Sequence, residues 1–388
     1  MIPVTQFQLS QARGARRGLS VATIVAASTL AAGVLGAVPA GATAHTSAYR
    51  QINLVSDQAG KANLKDPDLV NAWGLAASPG TNASPGSPLW VADNGTDKAT
   101  LYAGASATSV SKVPLVIDVT GAAPTGQVFN SDSSAFTVSD SHGNSGSSLF
   151  LFDTENGTID GWAPNVGNPS GGNPSTITEV GRNNGANAVY KGLAIAKSSV
   201  GTTLYATNFR SGRVEAYDGT FTPVELPGGL FVDPKLPAGY GPFGIAVIMG
   251  KIYVSFAKQD PGLKDDVSGP GHGFVDVFGR NGKFIHRLIS RGALDSPWGM
   301  ALAPASFGRF GGDLLVGNFG NGWINVYNPT TGQHLGALRG SNGQPIVIDG
   351  LWGLMFGNGN AARTNELIFS AGPSDESHGL LGKIVVAH

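Results

Sequence analysis

Two histidines in this chain keep similar company. His272 ends the stretch AKQDPGLKDDVSGPGH (257–272) and His378 ends AGPSDESH (371–378); a glycine and an apolar run follow each. Carboxylates lie a few residues upstream, Asp265 and Asp266 in the first stretch, Asp375 and Glu376 in the second. Imidazole titrates near neutrality and serves as acid, base or ligand, so His272, His378 and Asp375 are the candidates for catalysis. Asp265, Asp266, Asp375 and Glu376 supply hard oxygens of the kind calcium takes, which makes calcium the candidate cofactor. A second role suits the same residues equally: histidines that cap long loops. Loops held on a rigid scaffold are nevertheless where function concentrates.

A wider polar set recurs along the chain. Asn71, Asn94, Asn130, Lys191, Asn208, Arg210, Asn318 and Asp349 are candidates for ligand binding, because amide and carboxylate oxygens gathered in one place can hold a polar ligand or a cation. Taken singly, Asp-Asn-Gly and Asn-Phe-Gly are also ordinary turn formers. What groups them is the repeat in which they sit.

Five stretches share a glycine followed by an apolar run: NAWGLA (71–76), YKGLAI (190–195), GPFGIA (241–246), SPWGMA (296–301) and GLWGLM (350–355). Their glycines, Gly74, Gly192, Gly244, Gly299 and Gly353, are separated by 118, 52, 55 and 54 residues. The first interval hides one more unit, and GQVFNS (126–131) with AFTV (135–138) fills it as a degenerate copy. A second strand, a turn and a third, alternating strand follow each glycine run, as in LWVAD (89–93) and GWINVY (322–327). Four short strands per unit of about 50 residues is the pattern of a propeller blade. The expectation is an all-β, six-bladed β-propeller over residues 45–388, with seven blades as the rival because the second unit is poorly marked. The last unit stops at its third strand, and YRQINLV (49–55) reads as an orphan fourth strand that completes it and closes the ring. The loop before each inner strand and the loop between strands two and three then share one mouth of the channel. The polar set above converges there, with Glu376 and Glu155 the only glutamates near it. Trp73, Trp298 and Trp352, beside the glycines, read as packing between blades. His142, in a Ser/Gly loop, belongs at the opposite mouth.

Composition narrows the function. Residues 1–44 have a basic start (Arg13, Arg16, Arg17), an apolar stretch over 19–38 and an A-x-A end, the pattern of a signal peptide cleaved after Ala44. The expected locale is extracellular or the cell envelope, with no membrane span after cleavage. Cleavage takes Lys+Arg from 25 to 22 against 26 Asp+Glu, and no basic block remains for a phosphate backbone, which argues against nucleic acid as a partner. The chain has no cysteine, which excludes thiol chemistry and cysteine metal sites. Glycine numbers 57 and charged residues are only 13%, which suits many short strands and tight turns.

The segments YRQINLVSDQ (49–58), VNAWGL (70–75), VYKGL (189–193), NFRSG (208–212), DDVSGPGHGF (265–274), SPWG (296–299), IDGLWGL (348–354) and AGPSDESHG (371–379) resemble those of one family of exported bacterial proteins of unassigned activity. The likeness spans the whole mature chain and implies a propeller, but no reaction. More distantly the blades are similar to NHL-repeat propellers and to the gluconolactonase and calcium-dependent phosphotriesterase group, a likeness of fold only. Three functions fit: a module that binds an extracellular ligand or protein at the channel mouth, a calcium-dependent hydrolase of the lactonase or phosphotriesterase kind, or a scaffold of the cell envelope. The first is the reading taken.

Overall fold

The computed structural model describes residues 48–387 apart from 81–84, 105–108, 168–173, 199–200 and 227–228. The expected signal peptide lies outside the described residues. Six antiparallel sheets follow one another along the chain, and each begins with an inner strand: Ala72–Ala76, Pro124–Phe129, Tyr190–Ser198, Tyr240–Ile248, Pro297–Leu302 and Leu351–Phe356. The sheets are small, and neither face of a blade can be left to water. Six apolar clusters fill the seams between neighbours. One joins blades 1 and 2 through Trp90, Phe150 and Trp162; another joins blades 6 and 1 through Val91, Ile368 and Leu381. Each fully buried Leu, Ile, Val or Phe in these seams contributes roughly 1.5–3 kcal/mol. The fold is a six-bladed β-propeller.

The ring closes as its ends predict. Ala48–Ser56 pairs antiparallel with Leu380–Ala387, from Ala48 opposite Ala387 to Ser56 opposite Leu380. The first described strand is therefore the outer strand of the last blade, and it occupies an edge that would otherwise be open. Tyr49 pins this seam, donating its buried hydroxyl to the carbonyl of Phe307 at 3.0 Å.

The glycine repeat has a steric cause. A Cβ on Gly74 would lie 2.5 Å from the Thr125 carbonyl oxygen, one on Gly244 2.0 Å from that of Trp298, and one on Gly299 2.4 Å from that of Trp352. Each inner strand thus lies against the backbone of the next, and only glycine lets them approach. The register also slips at this point in every blade: the pairing skips Trp73-Gly74, Thr125-Gly126, Lys191-Gly192, Phe243-Gly244, Trp298-Gly299 and Trp352-Gly353. Such bulges re-aim a side chain. They also leave backbone groups unpaired, and in blades 3, 4 and 6 the second-strand hydroxyls of Thr207, Ser255 and Ser370 take them up. Ser255 Oγ accepts from Gly244 N at 2.9 Å and donates to the Pro297 carbonyl at 2.7 Å; Ser370 Oγ does the same between Gly353 N and the Trp73 carbonyl.

One placement corrects the sequence reading. Blade 2 begins at Pro124–Phe129, so Asn130 follows its inner strand instead of preceding it. Asn130 sits at the end away from the polar mouth and holds a turn, donating to the carbonyls of Asp132, Ala135 and Ser148. The degenerate unit hid its strand start, because Thr125 stands where three other blades carry tryptophan.

Candidate functional site

The residue before each ring glycine is aimed by its bulge toward one mouth. Three of these six are tryptophans. Trp73 stacks on Trp352 with ring centres 3.4 Å apart, and Trp298 meets both edge-on at 5.8 Å. Phe243 packs edge-on against Trp352, and Phe319, half-buried, stacks on Trp352 from the mouth at 4.0 Å. The tryptophans thus pack between blades, as expected, and do so in a single cluster at the channel axis.

Lys191 takes the same position in blade 3. Its ammonium lies 5.2 Å above the Trp73 ring, and Trp298 Nε1 donates to its carbonyl at 2.8 Å. A buried ammonium must be paired. Lys191 donates to Glu155 Oε1 at 2.5 Å and lies 3.4 Å from Asp265. Burial pulls the lysine down, but Glu155, Asp265 and Glu376 outweigh it and hold it above its ordinary value. It is therefore a fixed positive charge and not a nucleophile.

The network continues through amides. Glu155 Oε2 faces Asn94 Nδ2 at 3.5 Å, Asn94 Oδ1 accepts from Asn71 Nδ2 at 3.1 Å, and Asn71 Nδ2 also reaches Glu376 Oε2 at 2.6 Å. Asn71 Oδ1 accepts from Trp352 Nε1 at 3.1 Å, which ties the amide chain to the aromatic plug. The two glutamates are set apart by their surroundings. Burial raises Glu155, yet the Lys191 charge and hydrogen bond more than offset this and leave it below its ordinary value. Burial raises Glu376 as well, and there the Asn71 hydrogen bond and the Lys191 charge do not compensate. The backbone around Glu376 is unusual too. Ser374, Asp375 and Glu376 all have positive φ, 59°, 51° and 63°, and Asn71 has φ 48°. Non-glycine residues in the left-handed region cost of order 1–3 kcal/mol each and cluster where function needs them.

The other candidates are placed as follows. Asn208 is buried; it donates to Glu215 Oε1 at 2.8 Å and accepts from the backbone amides of Val189, just before the inner strand of blade 3, and of Ser211 in its own turn. Arg210 donates to the Ala186 carbonyl, and Asn318 to the carbonyl of Ala293. Asp349 is exposed and accepts from Ser374 N, so it supports the left-handed turn. His272 Nδ1 lies 2.8 Å from the Val267 carbonyl and closes its own loop. His378 Nδ1 pairs with Asp57 Oδ2 at 2.7 Å, and Gly379 N donates to Asp57 Oδ1. Asp266 is half-buried and raised by burial; Asp375 is exposed at the rim. Of the polar set, the structure thus brings together Asn71, Asn94, Lys191, Asp265 and Glu376. Glu155, only a marginal member from sequence, is central. Its signal was the loop Thr154–Gly157, which joins strands two and three of blade 2 and so opens on the same mouth.

The donor set does not suit calcium at this centre. The carboxylates nearest the axis surround an ammonium that already supplies the positive charge, and a divalent cation would face its repulsion. Among the described residues no three His, Asp or Glu side chains meet as a metal ion requires. None of the described helices is long and apolar enough to cross a membrane.

A six-bladed propeller with a polar mouth over an aromatic plug is the class that fold and site define. The chain belongs to a family that includes two uncharacterised proteins of Acanthamoeba polyphaga mimivirus. One is 32% identical over 339 residues, covering 85% of this chain and 78% of the relative; the other is 33% identical over 344 residues, covering 86% and 84%. These relatives are viral, so they do not carry the bacterial source that the sequence resemblance implied. No family model matches the chain. Similar solved structures include the α-L-arabinanase of Penicillium chrysogenum (TM-score 0.49, 9% identity, 86% of this chain and 97% of that one) and the virginiamycin B lyase of Staphylococcus aureus (0.42, 11%, 87% and 99%).

Proposed function

We propose that this protein is a binding module that holds a small polar ligand at the Lys191 mouth. One observation carries the reading: a buried lysine, fully paired, sits at the hub of an amide–carboxylate chain over an aromatic floor. Sites for small ligands combine an apolar surface with a few fixed polar groups. Phe319 and Trp298 offer the surface, and Glu155, Glu376 and Asn94 the polar groups. The surrounding charge is mainly acidic, with Asp265, Asp266 and Asp375 at the rim, which favours ligands bearing hydroxyl or ammonium groups over anions. The test is a thermal-shift screen of sugars, polyols and amines, because a ligand of the native state must raise the melting temperature. A hit should lose at least tenfold in affinity in Phe319→Ala and in Glu376→Gln. Hits that bind both variants as tightly as the parent would place the ligand elsewhere and sink the reading.

A second reading rests on the opposed glutamates. A carboxyl raised by burial and another held ionised by lysine are the parts of a metal-free acid–base hydrolysis, Glu376 as acid and Glu155 as base. Turnover of lactone, ester or glycoside substrates that vanishes in both Glu376→Gln and Glu155→Gln would favour it; no turnover in the parent removes it. We place the protein outside the cell or in the cell envelope on the strength of residues 1–44, which N-terminal sequencing of the mature chain would check.

A further inference from the structure

The end of the molecule away from Lys191 carries a turn that its own residues do not favour. The inner strand Tyr240–Ile248 of blade 4 returns into Lys251–Lys258 through Met249-Gly250 alone, with Ile248 opposite Lys251. Both turn residues have positive φ, 50° and 73°. A two-residue hairpin turn of that hand takes Asn-Gly, Asp-Gly or Gly-Gly, because other side chains strain the left-handed backbone at its first position. The chain has such dipeptides elsewhere, at Asn281-Gly282 and Asn342-Gly343. Here it places methionine, and Met249 is 63% exposed at the tip. The position costs twice, in backbone strain and in apolar surface left to water.

Cations gather around this tip. Arg280, in the turn that joins strands three and four of the same blade, donates from Nε to the Gly250 carbonyl at 3.1 Å and from Nη1 to the Lys197 carbonyl of blade 3 at 2.7 Å. Tyr205 Oη donates to the Arg280 carbonyl at 2.5 Å, so the clamp across the two blades is fixed. Lys251 follows the tip directly, Lys197 stands near the end of the neighbouring inner strand, and Lys283 lies in the Arg280 turn. All four cations are exposed. They are scattered in sequence and meet only in the fold. Among the described residues, Lys197 alone of the four has a carboxylate in ion-pair reach, Asp132 at 3.5 Å. The polar mouth has the opposite sign, with Asp265, Asp349 and Asp375 exposed there.

We infer that this face of blades 3 and 4 docks on an anionic bilayer, with Met249 entering the boundary of headgroups and acyl chains and Lys197, Lys251, Arg280 and Lys283 at the phosphates. An exposed apolar side chain ringed by Lys and Arg is the pattern of interfacial attachment. Each cation brought near an anionic leaflet adds to the attraction, and the long stems of Lys and Arg keep their charges in the headgroup layer. A soluble polyanion would use the four charges but gain nothing from methionine, which asparagine would replace at lower cost in this turn. The double cost of Met249 therefore favours the bilayer. Docked in this way, the chain turns the Lys191 mouth away from the membrane and leaves it open. The inference does not depend on what that mouth binds.

The test uses residues 45–388, which hold all six blades and both strands that close the ring. It is co-sedimentation with vesicles of phosphatidylcholine alone or with one-third phosphatidylglycerol, at low salt. The protein should bind the anionic vesicles at least about tenfold more tightly than the neutral ones, and about 0.5 M salt should release it. Met249→Asn should melt higher than the parent and yet bind anionic vesicles about fivefold more weakly. That opposition of stability and binding separates a docking tip from a merely structural residue. Lys251→Gln combined with Lys283→Gln should weaken binding by more than about tenfold and leave the melting temperature unchanged. The inference is overturned if the parent binds neither kind of vesicle or binds both alike. It is also overturned if Met249→Asn binds as tightly as the parent, which would assign the patch to a soluble polyanion.

Discussion

The two ends of the channel are made from the same six bulges and yet oppose each other in chemistry. On one side of the ring glycines stand Trp73, Thr125, Lys191, Phe243, Trp298 and Trp352; on the other stand Leu75, Gln127, Leu193, Ile245, Met300 and Leu354. The first set plugs the axis and carries a charge, and the second lines an uncharged bore. Both ends depart from an apolar rule, the first at Thr125 in blade 2 and Lys191 in blade 3, the second at Gln127 in blade 2; Lys191 and Gln127 are the larger departures. The exceptions are treated differently. Lys191 is fully paired, with Glu155, Asp265 and the Trp73 face around it. Gln127 has no partner for either amide atom. A paired buried charge builds a fixed network, whereas an unpaired buried amide carries the full cost of its desolvation. In a repeat protein the departures from the repeat, more than the repeat itself, mark where chemistry has been placed.

The largest expected effect removes both ends at once. Deleting residues 45–56 takes away the outer strand of the last blade and uncovers the edge of Leu380–Ala387. The chain should lose cooperative unfolding and the near-ultraviolet dichroism of its packed tryptophans. A truncated protein that still melts cooperatively would mean that the ring does not need its clasp, and the two ends could then be altered separately.

Next comes the charge at the polar end. Lys191→Met removes the short ion pair of Glu155 and leaves it only the longer one to the half-exposed Lys264 at 3.8 Å. Breaking a buried pair by removing one member costs about 3–5 kcal/mol, and Lys264 sets the loss toward the lower figure. Urea denaturation at neutral pH should show that loss, and adding Glu155→Gln should recover most of it. If the single variant is as stable as the parent, Lys191 is no hub and the contrast with Gln127 loses one side.

The irregular blade 2 sharpens the comparison through its second strand. Where other blades use Thr207, Ser255 or Ser370 to satisfy the bulge, blade 2 uses Asp153, whose Oδ1 accepts from Gly126 N at 2.6 Å while Oδ2 is buried without a partner. Burial raises its carboxyl to about 7. A folded value above the unfolded one contributes stability that is complete below about pH 4 and is lost as pH rises through about 7. Asp153→Asn keeps an acceptor for Gly126 and removes that loss. The two proteins should match near pH 4, and the variant should be more stable at pH 8 by up to about 4 kcal/mol. Equal urea midpoints at both pH values would show that Asp153 is ionised in the folded state after all.

Most of the architecture could be read from residues alone, because its causes are local. Glycines at near-equal spacing mark the close approach of inner strands, and a chain ending on a third strand demands an outer strand from elsewhere. Blade 2 resisted for a physical reason: Thr125 stands where four other copies have an aromatic residue and Asp153 where three have a hydroxyl, and the start of its inner strand moved from view with them. That one displacement put Asn130 at the wrong end and left Glu155 at the margin. The polar mouth was legible as a zone, since strand order decides which loops share an end. Its wiring was not, because Asn208, Arg210 and Asn318 look like Asn71 and Asn94 in sequence and differ only in what lies within hydrogen-bond reach. Asp57 gave no signal at all; its partner His378 is distant in the chain and meets it only when the ring closes.

That contact supports the smallest effect, and it tests whether the clasp and the mouth are one unit. Asp57 holds His378 Nδ1 and Gly379 N, one residue past the outer strand Ala48–Ser56 and just after the left-handed turn that carries Glu376. His378 is about one-third exposed, so water competes for the interaction and Asp57→Ala should cost only about 1 kcal/mol. The more telling readout is local. If Asp57 anchors the turn, hydrogen exchange should quicken at Ser377–Gly379 and stay unchanged at the Gln127 end. A loss as large as that of Lys191→Met, or faster exchange at both ends, would mean that the two mouths respond together and that the asymmetry between them is not a separation.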